Sequence, residues 1–273
     1  MIASYLLSLR EGLEAALIIG IVLGMLGKLN RRDLPPLVWF GAISAAAISL
    51  AVAVLLQYFG ATLEGGSEEL FEGLTMLLAA GILTWMIFWM RRQSRSIQSD
   101  LEEDVRRASK SGSRSALFLV AFLAVLREGV ELALFLTATS LTTGTQGTLI
   151  GGLLGLGTAA VLGWALFAST IRLDLKKFFQ VTGFLLILFA AGLVAHGVHE
   201  LNEAGIIPTI IDHVWDVNWL LDDSSFIGEV MKSLFGYNGN PSLTEVLAFI
   251  SYFAAISVSL LLNRPRQVVK QEV

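Results

Sequence analysis

The sequence contains no cysteine and few charged residues. Of its 273 residues, 15% are charged and 55% are hydrophobic, and the mean hydropathy is +0.70. Without cysteine the chain has no disulfide and no thiolate metal site, which counts against the binding of a soft metal ion. A chain this apolar is a membrane protein rather than a soluble domain.

Seven apolar stretches are long enough for a helix that crosses the hydrocarbon core, which takes about 20 residues. They lie at about 2–27, 37–59, 69–90, 115–141, 149–171, 178–200 and 244–262. The first stretch lacks a basic region before it and a small-residue cleavage pattern after it, so we expect a retained helix and not a signal peptide. The sequence therefore predicts an all-α membrane protein with seven transmembrane helices.

Basic residues fall almost entirely on alternate loops. Of the 19 lysines and arginines, 16 lie on one side of the predicted membrane: Lys28, Arg31, Arg32, Arg91, Arg92, Arg95, Arg106, Arg107, Lys110, Arg114, Arg172, Lys176, Lys177, Arg264, Arg266 and Lys270. The opposite loops hold only Lys232. The positive-inside rule then places the N-terminus outside and the C-terminus in the cytoplasm.

The outer loops are acidic instead, which favours the approach of cations on that face. The long outer loop at about 206–243 is rich in aromatic residues, so we expect it to lie at the membrane interface as short helices. The segment at about 93–114 is predicted to be a cytoplasmic connector, with an amphipathic piece at about 100–110.

Two similar five-residue motifs carry charge into the middle of apolar stretches. They read REGLE at residues 10–14 and REGVE at residues 127–131, 117 residues apart. Charged side chains in hydrocarbon are costly and therefore mark candidate functional sites. With the N-terminus outside, the first stretch runs inward and the fourth runs outward, so both motifs meet near the membrane midplane in opposite directions.

This opposition predicts a three-plus-three inverted repeat with a seventh helix appended, an architecture that places binding sites at the repeat interface. The chain is interpreted as one permease-like transmembrane domain. Its parts are repeat 1 at about 1–92, the connector at about 93–114, repeat 2 at about 115–205, the outer loop at about 206–243 and the seventh helix at about 244–262.

Helical geometry places the charged groups of each motif on one face about 100° wide, and we expect Gly12 and Gly129 to let a neighbouring backbone approach that face. Four carboxylates and two guanidinium groups sum to −2. Arg10 can reach Glu14, and Arg127 can reach Glu131, at the i, i+4 spacing. This leaves Glu11 and Glu128 as the freer pair and predicts them as the more direct ligands of a hard cation.

The motifs resemble those of the oxidase-dependent iron permeases, a family that includes bacterial EfeU-type and fungal high-affinity iron permeases. The resemblance also covers residues 69–73 (ELFEG), 82–91 (ILTWMIFWMR), 171–173 (IRL), 203–205 (EAG) and 235–237 (FGY). It therefore spans nearly the whole chain and looks closest to the bacterial branch.

This resemblance implies import of iron, Fe³⁺ or Fe²⁺, across the cytoplasmic (inner) membrane. It implies that the iron path is formed by Glu11, Glu14, Glu128 and Glu131, with Arg10 and Arg127 balancing their charge. It also implies partner proteins that oxidise and deliver iron, either EfeO- and EfeB-type proteins or a ferroxidase. We expect no permanently bound cofactor and no nucleic-acid partner. One departure is Asn202, where the family pattern has histidine before Glu-Ala-Gly.

A second, outer site is predicted where the third stretch begins and the sixth ends. Its candidate ligands are Glu72, His199, Glu200 and Glu203, with His196 nearby. Imidazoles and carboxylates at one level of the membrane are able to take iron before it descends. The alternative is that these residues only cap a helix end and meet water. Met86 and Met90, which alternate with Trp85 and Trp89, are interpreted as an interfacial belt.

Two other functions stay open. A transporter for another divalent cation such as manganese would use the same hard ligands. A membrane di-iron oxidase would also collect buried carboxylates, but such sites usually supply Glu-x-x-His from two helices, and neither motif contains it. We therefore expect a transporter and not an enzyme.

Overall fold

The computed structural model describes residues 1–31, 33–93, 103, 107, 114–168, 174–222 and 225–262. Within these ranges the regular structure is helical, with no β-strand. The helices with described bounds are α1 (Ile2–Lys28), α2 (Pro35–Thr62), α3 (Gly66–Gln93), α4 (Arg114–Thr143), α5 (Thr145–Ala168), α6 (Leu175–Glu203), α7 (Phe226–Phe235) and α8 (Leu243–Leu262).

A helix covers each of the seven predicted stretches, with ends that differ by a few residues. Five of these helices are long and apolar enough to cross a membrane: α2, α3, α5, α6 and α8. The other two, α1 and α4, are 27 and 30 residues long and carry the charged motifs. Most of the predicted connector, the sequence at residues 171–173 and the basic C-terminal segment lie outside the described residues.

Local sequence sets several helix ends. Pro35 and Pro36 occupy the first positions of α2, where a missing N–H breaks no intrahelical hydrogen bond. Asp174 caps α6 by accepting a hydrogen bond from the Lys177 N–H at 3.1 Å. The acidic end of the bundle is defined here as the end where α2 and α6 finish and α3 begins, with Glu64, Glu68, Glu69, Glu200 and Glu203.

The most extensive helix packing joins α1 to α5, α4 to α2, and α3 to α6, and α1 also packs against α4. Small residues allow the close approach in the first two pairs. A Cβ added at Gly155 of α5 would lie 2.8 Å from the Ser8 Cβ of α1, and one at Gly41 of α2 would lie 2.8 Å from the Phe118 carbonyl oxygen of α4. Backbone contact of this kind is how apolar helices associate without a hydrophobic driving force.

The sequence predicted that the motif glycines let a neighbouring backbone approach the charged face. In the structure these glycines lie on the opposite face of each helix. A Cβ at Gly12 would lie 2.7 Å from the Ala159 Cβ of α5, and one at Gly129 would lie 2.7 Å from the Ser49 Cβ of α2. The expectation was wrong because a residue two positions after the arginine points about 200° away from it. These glycines therefore press the back of each motif helix against its neighbour and turn the charged face toward the centre.

The aromatic loop differs from the prediction of interfacial helices alone. Its one described helix, α7, packs against α1, α4 and α6, and Leu234 joins the apolar core built around α3 and α6. The helix ends at Gly236, whose φ of 66° suits glycine. A Cβ at Gly192 of α6 would lie 2.7 Å from the Gly236 Cα. The end of α7 therefore rests directly on the α6 backbone.

Substitution of alanine for Gly155 is expected to lower the stability of the bundle by about 1–3 kcal/mol, because the new methyl group overpacks the α1–α5 contact. The matched control is Gly157→Ala on the same helix, where an added Cβ meets no atom within 4 Å. This control is expected to be neutral or slightly stabilising, because alanine favours the helix. Thermal unfolding of the purified variants in detergent measures both effects, and equal melting temperatures would contradict the assigned contact.

Candidate metal-ion site at the centre of the bundle

Three glutamates from the two motif helices meet at the centre of the bundle. One carboxylate oxygen from each of Glu11, Glu128 and Glu131 lies within 4.8 Å of the other two. All three side chains are buried. Among the residues that the structure describes, no other group of three such ligand residues comes this close together.

Two arginines lie beside these glutamates. Arg10 Nη2 lies 3.2 Å from Glu14 Oε1, and Arg127 Nε donates to Glu131 Oε1 at 3.0 Å, so both predicted i, i+4 pairs are confirmed. The prediction that Glu11 belongs to the freer pair is wrong, because Arg10 Nη1 also donates to Glu11 Oε1 at 3.0 Å. Arg10 is only 2% exposed, whereas the Arg127 side chain is 35% exposed.

The arginines do not satisfy all of the carboxylate oxygens. The second oxygen, Oε2, of each of Glu11, Glu128 and Glu131 is buried without a hydrogen-bond partner. Buried polar atoms are normally paired, so three unpaired carboxylate oxygens close together favour the binding of a cation. Oxygens bound to a small divalent cation at about 2.1 Å are at most about 4.2 Å apart. Small side-chain movements would therefore let these carboxylates hold a hard cation.

Two methionines and a tryptophan near the end of α3 contact the arginines of this site. Arg10 donates from Nη1 to Met86 Sδ at 3.2 Å and from Nη2 to Met90 Sδ at 2.6 Å. The guanidinium of Arg127 lies 4.4 Å from the ring centroid of Trp89. Met86 is fully buried, so its predicted place in an interfacial belt is wrong, while Trp85 is exposed in agreement with that prediction.

At the acidic end, the candidate outer ligands form a looser group. Glu72 interacts electrostatically with Glu203, and Glu200 interacts with Glu72. Glu72 also lines a cavity of about 160 Å³ between α2, α3 and α4, together with Glu68 and Gln57. Glu72 is thus the one candidate outer ligand that lines this cavity, and the described side chains of the outer group do not form a closed metal cage.

The histidines have partners within the protein. His199 Nδ1 lies 2.9 Å from Glu245 Oε1 of α8, and its Nε2 lies 3.3 Å from Glu203 Oε1. Glu245 also accepts hydrogen bonds from the Ser242 backbone N–H and the Asn238 side chain. His196 is buried, and its Nδ1 forms a hydrogen bond with the Gly192 carbonyl oxygen. His199 therefore joins α6 to the start of α8.

Sequence reasoning missed Glu245 as the partner of His199 and Met86 as a partner of Arg10. A signal for the first is present, because Ser242 and Glu245 form the S-x-x-E pattern of a capping box. For the second, the repeated Trp-Met pair at residues 85–86 and 89–90 places two methionines one turn apart on one helix face. That spacing alone does not name an arginine on another helix as the partner.

Comparisons with known proteins identify the family of the chain. Residues 1–265 match the Iron permease FTR1 family. The chain is 36% identical to the ferrous iron permease EfeU of Escherichia coli O6:K15:H31 (strain 536 / UPEC) over 264 residues, which cover 96% of each protein. It is 35% identical to the ferrous iron permease EfeU of Yersinia pestis over 92% of this chain and 90% of the relative. No solved structure matches the chain.

Removal of the buried arginine is expected to destabilise the protein more than removal of the half-exposed one. Arg10→Gln leaves buried carboxylates without their counter-charge, which typically costs about 3–5 kcal/mol. Arg127→Gln is expected to cost less, because the Arg127 side chain is 35% exposed and packs less tightly within the bundle. Thermal unfolding in detergent compares the two variants, and an equal or larger loss for Arg127→Gln would contradict the assigned burial.

Proposed function

The chain belongs to the Iron permease FTR1 family, and from this premise we propose that it imports iron through the glutamate cluster at the centre of the bundle. Membership in the family and the apolar helices identify a multi-pass permease of the cytoplasmic membrane. The single observation that carries the proposal is the meeting of Glu11, Glu128 and Glu131, buried and with unpartnered oxygens.

The proposed topology has seven membrane spans, with α1 and α4 added to the five apolar helices, the N-terminus outside and the C-terminus in the cytoplasm. Helix packing supports an inverted repeat. If α1, α2 and α3 correspond to α4, α5 and α6, the α1–α5 contact becomes the α4–α2 contact, while the α3–α6 and α1–α4 contacts map onto themselves. Repeat 1, repeat 2 and the appended α8 form one transport domain.

The charge balance supports reversible binding of a cation. Four carboxylates and two arginines leave a formal charge of −2, which an Fe²⁺ ion neutralises. Without the arginines, carboxylates in a medium of low dielectric would favour their neutral, protonated form. With every carboxylate fully paired, no ligand oxygen would remain for the cation. Glu11, Glu128 and Glu131 therefore act as direct ligands in the proposed site, and Glu14 is shared with Arg10.

Iron is favoured over other cargo by the relatives, which are named ferrous iron permeases. The oxygen ligands themselves suit hard cations in general, so manganese is the second candidate. A membrane di-iron oxidase has less support, since neither motif supplies the histidine usual at such sites. The relatives are named as permeases, which are transporters.

Glu72, Glu200 and Glu203 at the acidic end form the proposed outer site, where iron is first attracted before it reaches the central cluster. The space between α2, α3 and α4 supports this role, because Glu72 lines it and lies close to the glutamates of α6. In this proposal His199 holds α8 in place and contributes to the site only indirectly. Separate iron-oxidising and iron-delivery proteins, of EfeO, EfeB or ferroxidase type, remain proposed partners on this face.

Neutralisation of a central ligand is expected to abolish uptake. We expect Glu11→Gln, Glu128→Gln and Glu131→Gln each to lower the rate of Fe²⁺ uptake by liposomes containing the purified protein at least about 100-fold, since a direct ligand is lost. The matched control is Glu64→Gln, an exposed glutamate in the loop before α3, which should transport normally.

Normal transport by Glu11→Gln or Glu128→Gln would contradict the proposed ligand assignment. Competition by Mn²⁺ in the same liposomes distinguishes an iron permease from a permease for another divalent cation. An oxidase would turn over iron without moving it into the liposome.

A substitution at the outer site is expected to weaken uptake without stopping it. Glu72→Gln removes a charge that attracts the cation, so we expect the KM for Fe²⁺ to rise about 3- to 10-fold while the maximal rate changes little. High salt should reduce the difference from the wild type, because it screens the attraction at this partly exposed position. A KM equal to that of the wild type at low salt would remove Glu72 from the outer site.

A further inference from the structure

Both arginines of the central site have uncharged partners, and all of these partners come from one short stretch of α3. Arg10 donates to the sulfurs of Met86 and Met90. Arg127 lies over the ring of Trp89, on which Trp85 is stacked with a centroid separation of 6.4 Å. Residues 85, 86, 89 and 90 are called the arginine seat below.

The chemistry of the seat differs from that of a salt bridge. A thioether sulfur is a weak hydrogen-bond acceptor, and an aromatic ring attracts a cation through its quadrupole. Neither group carries a charge. The seat therefore holds a guanidinium in a buried site without cancelling its positive charge, whereas a carboxylate partner would cancel it.

Arg10 touches the seat and the carboxylates at the same time. Its Nη1 lies 3.0 Å from Glu11 Oε1 and 3.2 Å from Met86 Sδ. Its Nη2 contacts Glu14 Oε1 at 3.2 Å and Met90 Sδ at 2.6 Å. The Nε atom is buried with no hydrogen-bond partner. The guanidinium thus lies between two sets of acceptors, one charged and one neutral.

Arg127 has the same dual position. Its Nε donates to Glu131 Oε1 at 3.0 Å, while its guanidinium carbon lies 4.4 Å from the Trp89 ring centroid. In each motif, therefore, the arginine contacts a glutamate of its own motif and also side chains from the same turns of α3. A movement of α3 would change the environment of both arginines together.

We propose that Trp85, Met86, Trp89 and Met90 form a neutral seat that retains Arg10 and Arg127 when a cation displaces them from the glutamates. The inference rests on the proposed function of the central cluster as the iron site. These four are positioning residues, since they act through the arginines. The seat lowers the competition between guanidinium and iron for the same carboxylate oxygens.

The test replaces the sulfur acceptors by carbon of similar size. Met86→Leu/Met90→Leu leaves the glutamates as the remaining acceptors for Arg10, so the arginine competes more strongly with the cation. The KM for Fe²⁺ uptake by liposomes should rise about 5- to 10-fold, with a maximal rate within about 2-fold of the wild type. Met76→Leu is the matched control, because Met76 is a buried methionine of the same helix in the apolar core.

Substitutions of Trp89 test the proposal independently of the methionines. Trp89→Leu removes the ring beneath Arg127 and should raise the KM in the same way, whereas Trp89→Phe keeps a ring face and should restore most of the affinity. A KM for both the double variant and Trp89→Leu equal to that of Met76→Leu would overturn the proposal. A lower maximal rate and lower protein stability with an unchanged KM would overturn it as well, since that is the pattern of a packing defect.

A second readout does not depend on transport. Arg10→Lys keeps the charge but loses the planar fork that reaches two sulfurs and two carboxylates. In a thermal-unfolding cycle, Arg10→Lys combined with Met86→Leu/Met90→Leu should deviate from additivity, because the two changes remove the same contacts. Additive shifts in melting temperature would contradict the contacts between Arg10 and the two methionines, and with them the proposal. If the wild type moves no iron, the proposed function fails, while this cycle still tests separately whether the two methionines hold Arg10.

Discussion

The cost of placing charge in an apolar interior is the constraint on which the rest of this structure depends. Six ionisable side chains of the two motifs converge beside a core that is built mainly from alanine, leucine and isoleucine. Charge at such a depth is tolerated only if it is paired or functional. Packing of α1 against α4 encloses both motifs within the bundle. The four carboxylates and two arginines still sum to −2, so the pairing of the motifs does not by itself neutralise the centre.

Helix packing follows from that requirement. Gly12 and Gly129 allow α5 and α2 to press on the backs of the motif helices, which turns the charged faces inward. The third helix then completes the environment of the arginines with sulfur and aromatic groups. In the proposed permease, the same arrangement leaves a negative charge that a cation can neutralise, so the structural constraint and the proposed function share one physical origin.

The sequence was sufficient to predict the helices, because apolar runs of about 20 residues are a strong and local signal. It also predicted the pairs Arg10–Glu14 and Arg127–Glu131, which depend only on helical spacing. It did not predict the contacts of Arg10 with Glu11 and Met86, because these depend on side-chain direction and on which helix lies opposite. The position of α7 was missed for a similar reason, since aromatic composition indicates an interface without distinguishing lipid from neighbouring helices.

The contact between Gly192 and Gly236 has a mechanical consequence. With no side chain between the two backbones, a displacement of α6 has to carry the end of α7 with it. His199 and Glu245 tie α8 to the same helix, and α6 is also the main packing partner of α3. A displacement of α6 would therefore involve α7, the start of α8 and also α3, whose side chains contact Arg10 and Arg127.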